Sequence, residues 1–216
     1  MQILLMRDRS SQTLNVSGLT SVNLVLEPNA PLVQFLGIQQ SKGTHVVLSQ
    51  LSSINSKLTD FAQFDTVESV TATDLRFDSI NNQVNIQTVA DPNKNGLISL
   101  TNVKNVIIDG LLAQTSSMTL SPVILTDSVT SFTIQNSAFT SLQVTNSDLI
   151  IAKKPAYFYS NNVTVTNVIN SKMELTKYVY HLSPLVLIPG VSGIKIEKPT
   201  MRNSQIPLIR TRTVTK

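Results

Sequence analysis

The sequence of 216 residues has no cysteine and no tryptophan, and only 5% of it is aromatic. Without cysteine there is no disulfide framework and no zinc–thiolate site. Charged residues make up 14% of the chain, too few for a disordered, self-repelling polymer, and aliphatic residues are too many for one. No apolar run approaches the roughly 18 residues that a membrane-spanning helix needs. Also missing are a glycine-rich phosphate loop, a spacing of metal ligands, an Asp-Asp pair and a nucleophile-elbow motif. No cofactor is expected on these grounds. Basic residues are not interleaved with aromatics, which argues against a nucleic-acid partner.

What the chain does contain is aliphatic and small polar. Val, Ile and Leu account for 65 residues, and Ser, Thr, Asn and Gln for 79. These two classes recur in a fixed order: apolar-x-apolar, two residues, apolar, one residue, a small polar residue, then apolar-x-apolar. Leu14 to Leu24, Ile98 to Ile108 and Val186 to Ile196 are clear copies. Anchored on the final apolar pair, the copies start at Val22, Val46, Val70, Val106, Phe132, Val163 and Ile194, 24 to 36 residues apart. Alternation with period two means strands, and Val/Ile/Thr-rich strands suit a pleated, half-buried surface. A second strand is expected eight residues before the anchor (Ile98, Ile124, Val186). A third is expected 10 to 14 residues after it (Val84, Met118, Leu142, Met173).

Three short strands per repeat, each with one apolar side, predict an all-β right-handed parallel β-helix of about eight coils of 24–36 residues. The whole of 1–216 reads as a single segment of this kind. Gln50, Asp74, Gly110, Asn136 and Asn167, four residues past their anchors, are expected to stack as a polar ladder along the axis. Turn-rich 89–96 and Lys153–Ala156 read as bulges. No capping segment is evident, and both ends carry strand pattern, so the expectation is a longer rod cut at both ends, or end-on stacking with a partner.

On Val103-Lys-Asn-Val-Ile-Ile-Asp-Gly110 and Val129-Thr-Ser-Phe-Thr-Ile-Gln-Asn-Ser-Ala-Phe139, the chain resembles the pectin-lyase-like superfamily of right-handed parallel β-helices. In its Asn/Ser/Thr-rich, Gly-poor style it is nearest to long β-helical surface proteins of protists. The resemblance covers nearly the whole chain and speaks to architecture rather than activity. It implies either a polysaccharide lyase or hydrolase or a surface protein. The family's lyases use clustered aspartates with calcium and an arginine, and its hydrolases use adjacent aspartate pairs with a histidine.

Candidate site residues are few. Asp74, Asp78 and Asp109, with Arg76 nearby, are the best residual acid cluster for a calcium or carbohydrate site. On the outer face of the anchor strands only Asp109 and Glu197 are acidic. They are expected three coils apart, roughly 14 Å, too far for glycoside hydrolysis. His45 and His181 have no defined partner. Asn15 and Asn162 head the two glycosylation sequons. Residues 153–216 carry net charge +8 against −4 for 1–152, so Lys195, Lys198, Arg202, Arg210 and Arg212 form a candidate basic docking face for an acidic protein, glycan or lipid.

These residues point first to a non-enzymatic structural or interaction segment of a larger cell-surface or extracellular assembly, with protein partners and a glycan among candidate ligands. The alternative is a pectinase-type lyase or hydrolase whose acids lie in loops or further coils. Ice binding by Thr71-x-Thr73 and Thr164-x-Thr166 is a third, weaker reading.

Overall fold

A computed structural model describes residues 3–5, 13–26, 30–36, 43–83, 96–145, 147, 149–153, 157–171, 186–189, 193–202, 204 and 210–212. Among them there is no α-helix. The strands fall into repeats along the chain. The first repeat holds β1 (Ile3–Leu5), β2 (Thr13–Ser17) and β3 (Thr20–Val22), and the second holds β4 (Val33–Leu36) and β5 (His45–Ile54). The third holds β6 (Ala62–Asp78) and β7 (Asn81–Gln83). The fourth holds β8 (Ile98–Asp109), β9 (Leu112–Gln114) and β10 (Ser117–Thr119). The fifth holds β11 (Ile124–Asp127), β12 (Ser131–Thr140) and β13 (Gln143–Thr145), and the sixth β14 (Ile150–Lys153), β15 (Tyr157–Thr166) and β16 (Ile169–Ser171). The seventh holds β17 (Val186–Pro189), β18 (Gly193–Glu197) and β19 (Thr200–Arg202), and β20 (Arg210–Arg212) opens the eighth.

The described strand pairings are parallel and join neighbouring repeats at a constant offset. Ile124 pairs with Ile98 and Ile150, Phe132 with Val106 and Phe158, and Met118 with Asn82 and Val144. Four rows of strands result. The first row runs β1-β4-β6-β8-β11-β14-β17-β20. The second row is β2, the first half of β5, the middle of β6, the end of β8, the first halves of β12 and β15, and β18. The third is β3, the rest of β5 and β6, β9, the rest of β12 and β15, and β19. The fourth is a separate four-stranded sheet, β7-β10-β13-β16.

The rows meet at single-residue bends in the left-handed backbone region. Between the second and third rows stand Gly18, Gln50, Asp74, Gly110, Asn136, Asn162 and Lys198, all with φ between 48° and 76°. Asn23, Asn55, Ser79, Thr115, Ser141 and Asn167 do the same between the third and fourth. Asn, Asp and Gly tolerate this region best, which explains the polar residue that punctuates every copy of the motif.

One side of each strand faces a common interior. In the second row Val46, Val70, Val106, Phe132 and Phe158 are buried at one position, and Leu48, Ala72, Ile108, Ile134 and Ser160 at the next but one. In the third row Phe77, Ala113, Phe139 and Val165 succeed one another. Large and small side chains alternate there, filling the interior at near-crystalline density. The rings of Phe132 and Phe158 meet edge-on at 5.4 Å, and those of Phe61 and Phe77 at 5.1 Å. In β11 and β14 the outward Leu125 and Ile151 are buried as well.

The all-β, repeating parallel architecture agrees with the expectation, and the second strand is seen where it was expected, at Ile98, Ile124 and Val186. The register of two anchors needs correction. Leu14, not Val22, pairs with Val46; Val22 lies in the third row opposite Ile54 and is 57% exposed. Phe158, not Val163, pairs with Phe132, and Val163 lies in the third row opposite Ser137. Both slips move by one row, because adjacent rows share the same apolar-x-apolar pattern separated by a polar bend. The fourth-row strands are β7, β10, β13 and β16, so the strand expected at Val84 is replaced by Asn81–Gln83. Val84, Met173, the bulge at 89–95 and residues 154–156 lie outside the described residues.

Candidate functional site

The second and third rows present the longest continuous outer surface, and the candidate residues fall on it. Parallel pairing carries each outward side chain onto its counterpart in the next repeat, about 4.8 Å away. Asp109 at the end of β8 pairs with Thr73 and Gln135. Its carboxylate accepts hydrogen bonds from Gln135 Nε2 and Asn136 Nδ2, both at 2.8 Å. Asn136 in turn accepts from Asn162 Nδ2 at 3.0 Å. Asp109, Asn136 and Asn162 thus form a short ladder running across three repeats. Asn55 donates to Asn23 at 2.6 Å on the next bend row. The expected polar ladder is therefore present at Asn136, while Asn167 belongs to the second bend row rather than the first.

Asp74 occupies the bend one repeat before Gly110. A Cβ added to Gly110 would lie 3.2 Å from Asp74 Oδ1, so the glycine lets the carboxylate fold back over the next repeat while also supplying the left-handed φ. Asp78 sits four residues further along β6. It pairs with Arg76 at 2.9 Å and accepts from Gln114 at 2.7 Å and from Ser79 at 3.1 Å. The Arg76 hydrogen bond, above all, holds its carboxyl below the usual range. Asp74 and Asp109 are thus brought to neighbouring repeats, while Asp78 is engaged by Arg76. Among the described residues no three His, Cys, Asp or Glu side chains are grouped so as to hold a metal ion.

Asp109 and Glu197 occupy the same outward position three repeats apart, through Gln135 and Asn161, as expected. Around Glu197 there is a cluster that sequence reasoning missed. Tyr159 Oη donates to Glu197 Oε2 at 2.7 Å, Lys195 pairs with Glu197 at 2.8 Å, and the Lys195 ammonium stands 5.5 Å from the centre of the Tyr159 ring. The Lys195 hydrogen bond, first, then that of Tyr159, lowers the proton affinity of the Glu197 carboxyl, and Glu197 raises that of both partners. The missed signal was register. With Phe158 facing inward, Tyr157 and Tyr159 both point outward beside β18. Tyr157, flanked by Ser131 and Gly193, is 62% exposed.

Of the candidate basic face, Lys195, Lys198 and Arg202 are exposed on the seventh repeat. Lys198 stands at the bend and Arg202 ends the third row. Arg210 and Arg212 lie in first-row strand β20, which pairs with β17, so the five residues are spread over three rows rather than one. His45 places Nδ1 2.7 Å from Ser69 Oγ; His181 lies outside the described residues. Asn15 is exposed on β2, and Asn162 is exposed at a bend. Thr71 and Thr73 face outward from the second row, whereas Thr164 and Thr166 belong to the third, so the two Thr-x-Thr pairs do not stack.

Among the described residues no helix is long and apolar enough to cross a membrane. Comparison with known proteins finds no protein family, no curated protein and no solved structure that matches this chain.

Proposed function

We propose that the chain is a right-handed parallel β-helix of the pectin-lyase-like kind, serving as a non-enzymatic structural or interaction segment of a larger cell-surface or extracellular protein. The observation that carries this reading is the unbroken stacking of rows: parallel strands at a fixed offset, inward aliphatics, and outward amides and hydroxyls bonded from one repeat to the next. Such a surface is flat and repetitive. It suits broad contacts with protein partners or glycans along its length more than concentrated chemistry at one point.

The enzymatic alternative would draw on Asp74, Asp78 and Asp109. Two of these are already turned to structural use: Asp78 binds Arg76 and Gln114, and Asp109 binds Gln135 and Asn136. A general acid or nucleophile needs a carboxyl free to exchange protons with substrate.

The test is a polysaccharide panel including polygalacturonate, assayed for new reducing ends and for unsaturated uronides with the wild type and the triple alanine variant of the three aspartates. The expected result is no turnover by either protein, together with retention of the wild type on intact cell-surface extracts. Turnover that disappears in the triple variant overturns the proposal in favour of the enzyme.

A further inference from the structure

Charge on the surface of the second and third rows is segregated along the stacking direction. Around the third-repeat bend stand Asp74, Asp78 and, one repeat on, Asp109, against the single cation Arg76, for net −2. Around the seventh-repeat bend stand Lys195, Lys198 and Arg202 against the single acid Glu197, for net +2. Between them the outward and bend residues of the fifth and sixth repeats are uncharged: Gln135, Asn136 and Thr140, then Asn161, Asn162 and Thr166.

The two poles are equivalent in register. Asp74 and Lys198 occupy the same bend, both in the left-handed region at φ 53° and 48°. Asp78 and Arg202 occupy the same end of the third row, connected through Gln114, Thr140 and Thr166. Each pair is four inter-strand steps apart, or roughly 19 Å.

We propose that this surface binds a second copy of the chain, antiparallel, about a two-fold axis lying along the strands of the fifth repeat. That operation sets Asp74 of each copy against Lys198 of the other, and Asp78 against Arg202. Every contact is made twice, as an isologous interface requires. The centre of the strip carries Ala138, Thr140 and Thr164, small side chains that let two sheets approach to about 10 Å. A strip this narrow gives a weak, fast-exchanging dimer steered by charge. The dimer follows from register and charge and does not depend on whether the rod also has other partners.

Sedimentation velocity of the 216-residue chain at concentrations up to the millimolar range tests it. A monomer–dimer equilibrium is expected, with association falling roughly tenfold or more between 50 and 500 mM salt as the charges are screened. A basic-pole variant, Lys198→Asp with Arg202→Asp, and an acidic-pole variant, Asp74→Lys with Asp78→Arg, each place a residue type at a position whose counterpart already accepts it. Each variant alone should be monomeric, their equimolar mixture should dimerise, and the four-fold swap should dimerise as wild type does. Circular dichroism establishes that each variant is folded. A wild type monomeric at every concentration, association that is indifferent to the reversals, a mixture that stays monomeric, or growth past the dimer would each overturn the proposal.

Discussion

Asp60 is 3% exposed, and its carboxyl has one hydrogen bond from a described residue, from Thr59 Oγ1 at 3.0 Å. Burial therefore pushes its pKa from an ordinary 3.8 to about 6. The folded state then holds a proton that the unfolded state has released. Below pH 4 the group is neutral in both states and costs nothing. As the pH rises from about 4 to about 6, stability falls, by roughly 3 kcal/mol in all, and then levels off. Asp60→Asn keeps the acceptor for Thr59 and cannot ionise. Urea titrations at pH 4 and pH 7 should show the variant close to wild type at the lower pH and more stable at the higher. An equal difference at both values would show that the aspartate is not protonated as described. Thr126 poses the complementary case. Its hydroxyl is fully buried between Leu100 and Ala152 and lacks a hydrogen-bond partner. Thr126→Val removes an unsatisfied group at nearly constant volume and should raise stability by about 1 kcal/mol, read as a shift of the urea midpoint at unchanged slope.

Single elements are positioned by their bends as much as by their apolar faces. Asn136 combines a φ of 48° with hydrogen bonds to Asp109 and from Asn162. Asn136→Gly keeps the backbone freedom and loses only the ladder. Asn136→Val loses both and adds the strain of a β-branched residue in the left-handed region. The glycine variant should lose about 1 kcal/mol and the valine variant about twice that or more; equal losses would mean that the bend carries no conformational demand. The same logic explains what was legible in the sequence. Polar residues at the bends and period-two alternation in Val46–Leu48, Val70–Ala72, Val106–Ile108 and Phe132–Ile134 gave the correct row for each of these. In Tyr157-Phe158-Tyr159-Ser160 three successive aromatics hide the alternation, and the second inward position is a serine, 4% exposed. The pattern therefore slipped by one row to Val163. The candidate site suffered from the same slip. The partners of Asp78 and Asp109 were placed correctly, but Tyr159 was not set beside Lys195 and Glu197, since that contact depends on the 36-residue offset between Phe158 and Ile194.

For the molecule as a whole, stability should be a sum of repeats and of the contacts between neighbours. The fifth repeat tests this directly, because it is bounded on both sides by the same offset: Ile98, Ile124 and Ile150 pair in sequence 26 residues apart. Excising residues 124–149 joins Val123 to Ile150 and brings β14 and β15 onto β8 and β9. Inward residues then stay inward, with Phe158 stacked on Val106 and Ser160 on Ile108. Excising 25 residues instead, 124–148, displaces every downstream strand by one position, and with a side-chain period of two it turns the apolar face outward. The first deletion should fold cooperatively, with a urea slope lower by roughly an eighth, in line with the smaller surface exposed on unfolding. The second should lose cooperativity or aggregate through its exposed apolar strands. Equal folding of the two deletions would mean that register between repeats is not what holds the molecule together. A cooperative 26-residue deletion beside a collapsed 25-residue one would locate the stability in the alignment of the rows.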